Sequence, residues 1–338
     1  MFLHRFNTRH VSFFLAAFAL LGAIEAQAVQ RTHVSAAFGA DSNAASNCTA
    51  AAPCRFFTAA MTVTDPNGEV IVLDSGGYGA VTITQSVALI APTGVYAGIS
   101  VFPGADGVTI ATAGVNVVLR GLSINGQGGN NGINMTAGNR LTVENCVISN
   151  LGQNGISVNT AATVRVTDSI VRDNVGSGIY LQNGVKATIT RAVVSGNVNN
   201  AGIYLVGLTP GTSTVDIADS TVDGNSNGIS ARSIVSTASL KLSVRDSRIL
   251  GNTGFGLFAQ SNNGATASLT ASNNMVSNNA YGLIASGAGA IVISTGNTVT
   301  GNTNAGFYNG SAVFVSAGNN TVYANGANVG TITGIATQ

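Results

Sequence analysis

One seven-residue window recurs eight times without gaps from residue 144 onward. Its copies are ENCVISN (144–150), DSIVRDN (168–174), RAVVSGN (191–197), DSTVDGN (219–225), DSRILGN (246–252), NNMVSNN (273–279), GNTVTGN (296–302) and NNTVYAN (319–325). The period is 23 to 28 residues, and the fourth position is always Val or Ile. Seven copies are followed by a Gly and a large apolar residue, as in Gly178-Ile179 and Gly256-Leu257. A period of this length points to a solenoid. The segments within it are short, β-branched and cut by Asn and Gly, with no sustained i, i+3, i+4 pattern, which excludes helical repeats. One unit has room for three short strands and three turns. Stacked units pair each strand with its copy in the next coil, about 4.8 Å away. The result is a parallel β-helix, in which each coil is stable only against its neighbours.

The windows set a register. Val147, Val171, Val194, Val222, Ile249, Val276, Val299 and Val322 are expected to stack as one interior column. Asn150 to Asn325 are expected to form a turn column, because Asn tolerates left-handed backbone and can bond its copy above and below. The glycines are expected to supply positive φ where the chain bends into the next strand. The ends of such a stack expose open strand edges and need covers. In "PCRFFTAAMTV", Phe57, Ala60 and Met61 stand at helical spacing and read as a short N-terminal capping helix. Residues 29–68 are therefore leader and cap, and 69–338 one all-β parallel β-helix of about ten coils, roughly 50 Å long at the strand spacing. The end, "VGTITGIATQ", is either a last strand or a loose cover.

Residues 1–28 read as a secretory signal peptide: Arg5 and Arg9, an apolar run from Val11 to Ile24, then Ala26-Gln27-Ala28. The run is shorter than the roughly 20 residues that span a bilayer. The expected destination is the periplasm or the exterior, with no integral membrane segment after cleavage. Without Arg5, Arg9 and Glu25 the rest of the chain carries 12 basic and 12 acidic residues. It has no basic stripe for nucleic acid, whose binding rests on phosphate neutralisation. Cys48 and Cys54, six apart, are expected to form a local disulfide in an oxidising compartment. Cys146 is left as a small packing residue or a reactive thiol.

Several of these features resemble the right-handed parallel β-helix proteins of the pectate-lyase-like superfamily, in particular bacterial exported repeat proteins. The leader "VSAAFGADSNAASNCTAAAPCRFFTAA" is similar to theirs in Val34-Ser35, in Gly39, Asp41 and Ser42, and in Pro53, Arg55 and Ala60 ahead of the cap helix. "EVIVLDSGGYGAVTITQSVALIAP" resembles their first coil. The resemblance implies a right-handed helix but no single activity, since this scaffold hosts lyases, hydrolases, epimerases and adhesins. Hydrolases of the superfamily use clustered aspartates with a nearby His, and its lyases use carboxylates that hold Ca²⁺ with an Arg or Lys as base. After residue 28 the chain has one His, His33, and no Asp-Asp pair.

Two side-chain columns could carry function. The first position of the windows reads Glu144, Asp168, Arg191, Asp219, Asp246, Asn273. Like charges a strand spacing apart repel unless a cation compensates. The column is a turn-edge ladder offset by Arg191, a Ca²⁺ site at Asp219 and Asp246, or a catalytic set of Asp219, Asp246 and Arg191. The second column points outward from the Gly-apolar strand: Asn134, Ser157, Tyr180, Tyr204, Ser230, Phe258, Ile284, Tyr308. Tyr180, Tyr204, Phe258 and Tyr308, with Arg232 and Gln260 beside them, offer aromatic faces and polar neighbours to a sugar. The same column also reads as ordinary strand propensity or a self-association face for a homo-oligomer. The long segments between 205 and 270 are expected to wall this strand into a groove. The expected role is binding a polysaccharide or cell-surface glycan, or serving as a structural or adhesive rod, without catalysis. The competing role is a divergent polysaccharide lyase or glycoside hydrolase acting on an acidic glycan.

Overall fold

The computed structural model describes residues 29–335; the expected signal peptide at 1–28 lies outside the described residues. The chain winds through three parallel sheets of thirteen, eleven and ten strands. Each coil passes from the thirteen-stranded sheet to the eleven-stranded sheet and then to the ten-stranded sheet. One coil, for example, runs through Arg140–Glu144, Val147–Ser149 and Ile156–Asn159. Every strand pairs with its copy one coil away, as Leu141 with Val164 and Ile156 with Ile179. The expectation of a stacked, in-register solenoid of about ten coils holds.

The interior column of the eleven-stranded sheet runs Ile124, Ile148, Val171, Val194, Val222, Ile249, Val276, Val299 and Val322. Thus Ile148, not Val147, belongs to it, and the first window is displaced by one residue. A one-residue slip reverses the face of every side chain in a strand, so Val147 points outward beside Ile170. The same slip removes Glu144 from the corner column: Asn145 takes that place, and Glu144 pairs with Thr167 inside a strand.

The two tight corners explain the Asn and Gly columns differently from the sequence reading. At the first, Asn145, Asp168, Arg191, Asp219, Asp246 and Asn273 hold left-handed backbone with φ between 50° and 55°. The next residue turns inward into a buried column of small side chains, Cys146, Ser169, Ala192, Ser220, Ser247, Asn274 and Asn297. Cys146 is therefore a packing residue in place, and burial pushes its thiol up to about 11. At the second corner the left-handed residue is Asp173, Gly196, Gly224, Gly251, Asn278, Gly301 or Ala324, and the repeated Asn follows it. That Asn is not left-handed; it is buried. From Asn174 to Asn325 each Nδ2 donates to the Oδ1 of the next coil's Asn at 2.7–3.1 Å. Each backbone N–H donates to the same oxygen. The ladder begins at Asn174 because Leu151 fills its place one coil earlier. The Gly before each apolar residue answers to space rather than φ: a Cβ on Gly178 would sit 2.5 Å from Val194 Cγ1 and 2.7 Å from the Gly202 carbonyl oxygen.

The leader is part of the stack. Arg31–Val34 forms the first strand of the thirteen-stranded sheet, against Gly68–Val72. The one-turn helix Phe57–Met61 buries Phe57, Ala60 and Met61 over the first coil. The leader residues that carry the family resemblance hold this cap together. The Asp41 carboxylate accepts the backbone N–H groups of Arg55 and Phe56 as they enter the helix. The Arg55 guanidinium donates to the Gly77 carbonyl and lies over the Phe56 ring. Cys48 and Cys54 are joined, Cα to Cα 4.9 Å, and fully buried. By chain-entropy arithmetic a loop this short contributes about 2 kcal/mol. Replacing both cysteines by alanine should lower the unfolding free energy by that amount in a urea titration; an unchanged midpoint would mean the cap holds without the bridge. At the other end Thr333–Ile335 closes the stack as a last strand against Val313–Ala317. Among the described residues no helix is long and apolar enough to cross a membrane.

Candidate functional site

The outward column of the ten-stranded sheet is laid out as the alternation requires. Asn134, Ser157, Tyr180, Tyr204, Ser230, Phe258, Ile284 and Tyr308 are successive register partners. Two residues further along each strand stands a second column, in which Gln182, Val206, Arg232, Gln260 and Ser286 follow one another. The structure therefore brings Tyr180, Tyr204, Phe258, Tyr308 and Arg232 onto one face.

The aromatic rings do not form a flat platform. Tyr180 meets Tyr204 edge-on, with centroids 5.6 Å apart and planes at 70°. Tyr308 meets Tyr281 in the same way at 5.7 Å and 81°. Such pairs place the positive edge of one ring on the negative face of the next. Phe258 packs on Phe255 at 4.5 Å and is only 9% exposed. It acts more as a support than as an open surface, whereas Tyr180, Tyr204 and Tyr308 stay half-buried. Burial first, and the neighbouring Tyr204 second, raise the Tyr180 hydroxyl above its ordinary range. That hydroxyl donates to Gln182 Oε1 at 3.2 Å, and Arg232 Nε donates to Gln260 Oε1 at 2.6 Å. Between Tyr204, Phe255 and Arg232 lies a hollow of about 30 Å³, with Ser230 at its floor. The Ser230 hydroxyl is buried and has no hydrogen-bond partner. A space of this size admits a water or one hydroxyl group, not a sugar ring.

The long segments between 205 and 270 do not form walls. Their residues alternate, as in "GTSTV" and "ASLKL", and extend strands: Gly211–Ala218 and Ala238–Arg245 run for eight residues and pair throughout. These strands belong to the thirteen-stranded sheet, which the segments widen.

The charged corner column lies elsewhere, at the junction of the thirteen- and eleven-stranded sheets, which the tyrosine face does not border. Arg191 Nε and Nη2 bind the two oxygens of Asp168 at 2.6 and 2.7 Å. That hydrogen bonding holds the Asp168 carboxyl below its usual range and raises the Arg191 guanidinium. Asp246 pairs with Arg245 at 3.1 Å. Asp219, Asp246 and Arg191 are all exposed and left-handed, so the corner itself accounts for the Asp and Asn found there. Among the described residues no three His, Cys, Asp or Glu side chains converge as metal ligands. A stronger local site was not legible from the repeat. Asp74 accepts hydrogen bonds from the Ser35 hydroxyl, the Tyr78 hydroxyl and the Ala36 and Ala37 N–H groups. Its partners lie 37 to 39 residues earlier, except Tyr78.

A family model described as a right-handed beta helix region matches residues 68–211. Among solved structures, pectate lyase Pel9A superposes with a TM-score of 0.64 at 17% identity, over 92% of this chain and 80% of its own. XylC in complex with xylose gives 0.54 at 10% identity, over 82% and 69%. The polygalacturonase from Erwinia carotovora ssp. carotovora gives 0.50 at 13% identity, over 90% and 97%. A search of curated protein sequences returned no match. Three parallel sheets, coils in register and these likenesses together make the chain a right-handed parallel β-helix, the fold it shares with the pectate lyase and the polygalacturonase.

Proposed function

We propose that this chain is exported and binds a polysaccharide along the outer face of its ten-stranded sheet without cleaving it. The observation that carries this reading is the composition of that face. Its outward strand positions hold Tyr180, Tyr204, Tyr308, Arg232, Gln182, Gln260 and a series of Ser, Thr and Asn, and not one carboxylate. Tyrosine rings suit the C–H faces of sugars, and amides, hydroxyls and one guanidinium suit their oxygens. Glycoside hydrolysis calls for two carboxyls across the scissile bond, and none stands on these strands. The nearest is Asp106, which is held by Asn131 and Asn134 at the N-terminal end of the sheet. The polymer lies across coils, and the rod presents it to the cell envelope or surface.

A glycan array identifies the sugar, and retention on that glycan in insoluble form tests the face. Tyr180→Ala with Tyr204→Ala should weaken retention at least tenfold; equal retention by the variant removes the tyrosine face as the site. A second reading, a divergent lyase or hydrolase, draws on the names of the structural neighbours, a pectate lyase and a polygalacturonase. Incubation with acidic polysaccharides, with and without Ca²⁺, separates the two. Unsaturated product seen by absorbance, or new reducing ends, would overturn the non-cleaving reading.

A further inference from the structure

The ten-stranded sheet holds one polar atom that the protein itself leaves unanswered. In the outward column Ser230 stands between Tyr204 on one coil and Phe258 on the next. It is 2% exposed, and its hydroxyl has no hydrogen-bond partner. A buried hydroxyl without a partner is destabilising. Packing alone therefore gives no reason for a serine where the neighbouring coils carry Tyr, Phe and Ile. The residue lines the hollow of about 30 Å³ beside Tyr204, Phe255 and Arg232.

The walls of that hollow are braced. Phe255 packs on Phe258 with centroids 4.5 Å apart, and Tyr204 meets Tyr180 at 5.6 Å. Gln260 Oε1 holds Arg232 Nε at 2.6 Å. Asn227, which also lines the hollow, donates through Nδ2 to the Asn200 carbonyl at 2.7 Å. Among the described residues Arg232 forms no salt bridge. Ser230 and Arg232 are two residues apart on one strand face, about 6.7 Å. One oxygen placed between them can bond the Ser230 hydroxyl and accept a guanidinium N–H, each at ordinary hydrogen-bond length. The space holds about that one oxygen. A carboxylate would bring two oxygens and a charge.

We infer that the hollow is a specificity notch of the tyrosine face, taking the C6 hydroxyl of one neutral hexose residue. The inference rests on the reading of that face as a glycan site and adds the class of sugar. A ring hydroxyl would drive its ring against Tyr204 and Phe255, whereas the C6 hydroxyl stands one carbon further out. Its methylene then lies between the two aromatic rings. A pentose places no oxygen in the hollow, and a uronic acid overfills it. Sites that pair a ligand hydroxyl discriminate against the analogue lacking it, because the protein's own polar group is then left unpaired.

Hexasaccharides in matched triplets are the probe. Within a triplet linkage and configuration are constant, and C6 is a hydroxymethyl, a carboxylate or absent. Gluco, galacto and manno series are screened on an array and then titrated. In a series that binds, the hydroxymethyl member should be favoured at least tenfold over the other two. Ser230→Ala should shrink that preference below threefold by weakening the hydroxymethyl member, and Ser230→Val, which fills the hollow, should abolish it. Tyr308→Ala, four coils from Tyr204, should weaken all three members in equal proportion. A hollow that only stores a water would give no preference. That result, a preference surviving Ser230→Ala, or a preferred carboxylate member would overturn the notch and leave the tyrosine face in place. Failure of every series to bind would overturn the face and the notch together.

Discussion

Replacing Asn225 by alanine should lower the unfolding free energy by about 3 kcal/mol, as two buried polar groups lose their partners at 1–3 kcal/mol each. Asn225 Oδ1 accepts both the backbone N–H and the Nδ2 of Asn197, at 3.0 and 2.7 Å. Its own Nδ2 donates to the Val194 carbonyl and to Asn252 Oδ1. Alanine leaves the buried Asn197 N–H without a partner and takes the ladder bond from Asn197 Nδ2, while the Val194 carbonyl keeps its strand partner. Asn225→Asp tests the same point from the other side, since it keeps the acceptor but loses the donor and adds a buried charge. It should be at least as destabilising. The measurement is the urea midpoint followed by far-ultraviolet circular dichroism. A change in free energy below 1 kcal/mol would show that water enters the corner and replaces the ladder. The position of Leu151 sets the control: there the ladder has already ended, so Leu151→Ala should act as an ordinary core truncation.

The second large effect concerns acid. Asp74 sits beneath the cap, where burial raises its pKa but hydrogen bonds from Ser35, Tyr78, Ala36 and Ala37 outweigh burial and bring it to about 2. A carboxyl that is depressed in the folded state adds stability above its unfolded pKa and loses it as pH falls through the folded value. The contribution of Asp74 is therefore complete above about pH 4 and is lost between the ordinary value of 3.8 and about 2. Tyr78, pushed up to about 12 by burial and by its bond to Asp74, stays a donor throughout this range. Asp74→Asn should lower stability at pH 7, because the amide replaces an acceptor by a donor facing N–H groups. The variant should also show a flatter dependence of stability on pH between 4 and 2. If wild type and variant run parallel across that window, another group governs the acid response.

The repeat made the fold legible because in-register stacking forces one residue type into one column, and the Val/Ile position survives any reading frame with the right period. It failed at its first copy for a definable reason. The letter Asn serves two distinct jobs at the second corner: a left-handed hinge at Asn150 and Asn278, and a buried ladder rung from Asn174 onward. Alignment on the final Asn therefore drew ENCVISN one residue out of register and misplaced Val147 and Glu144. Tyr180, Tyr204 and Tyr308 could be aligned because Gly followed by an apolar residue marks the start of their strand in nearly every coil. The outward columns of the thirteen-stranded sheet escaped because Arg140, Arg165 and Lys186 share no letter with their register partners. The signal was still present: Arg140, Thr163 and Lys186 each stand five residues before the left-handed corner at Asn145, Asp168 and Arg191. Counting back from that corner finds the column. The Asp74 site gave no such signal, since Ser35 lies 39 residues away and outside the repeat.

The ladder has a consequence for how such a chain can change in length. Each rung of the Asn corner and each strand meets only the copy before and the copy after, so an internal coil is bounded on both sides by surfaces of the same kind. A whole unit can be duplicated or excised with the flanking units rejoining through an unchanged seam. Length then varies in steps of one strand spacing, while a change of one or two residues within a unit breaks the seam. Binding faces written on successive coils would lengthen with the rod, giving evolution a means of adjusting reach and valency without inventing a new core.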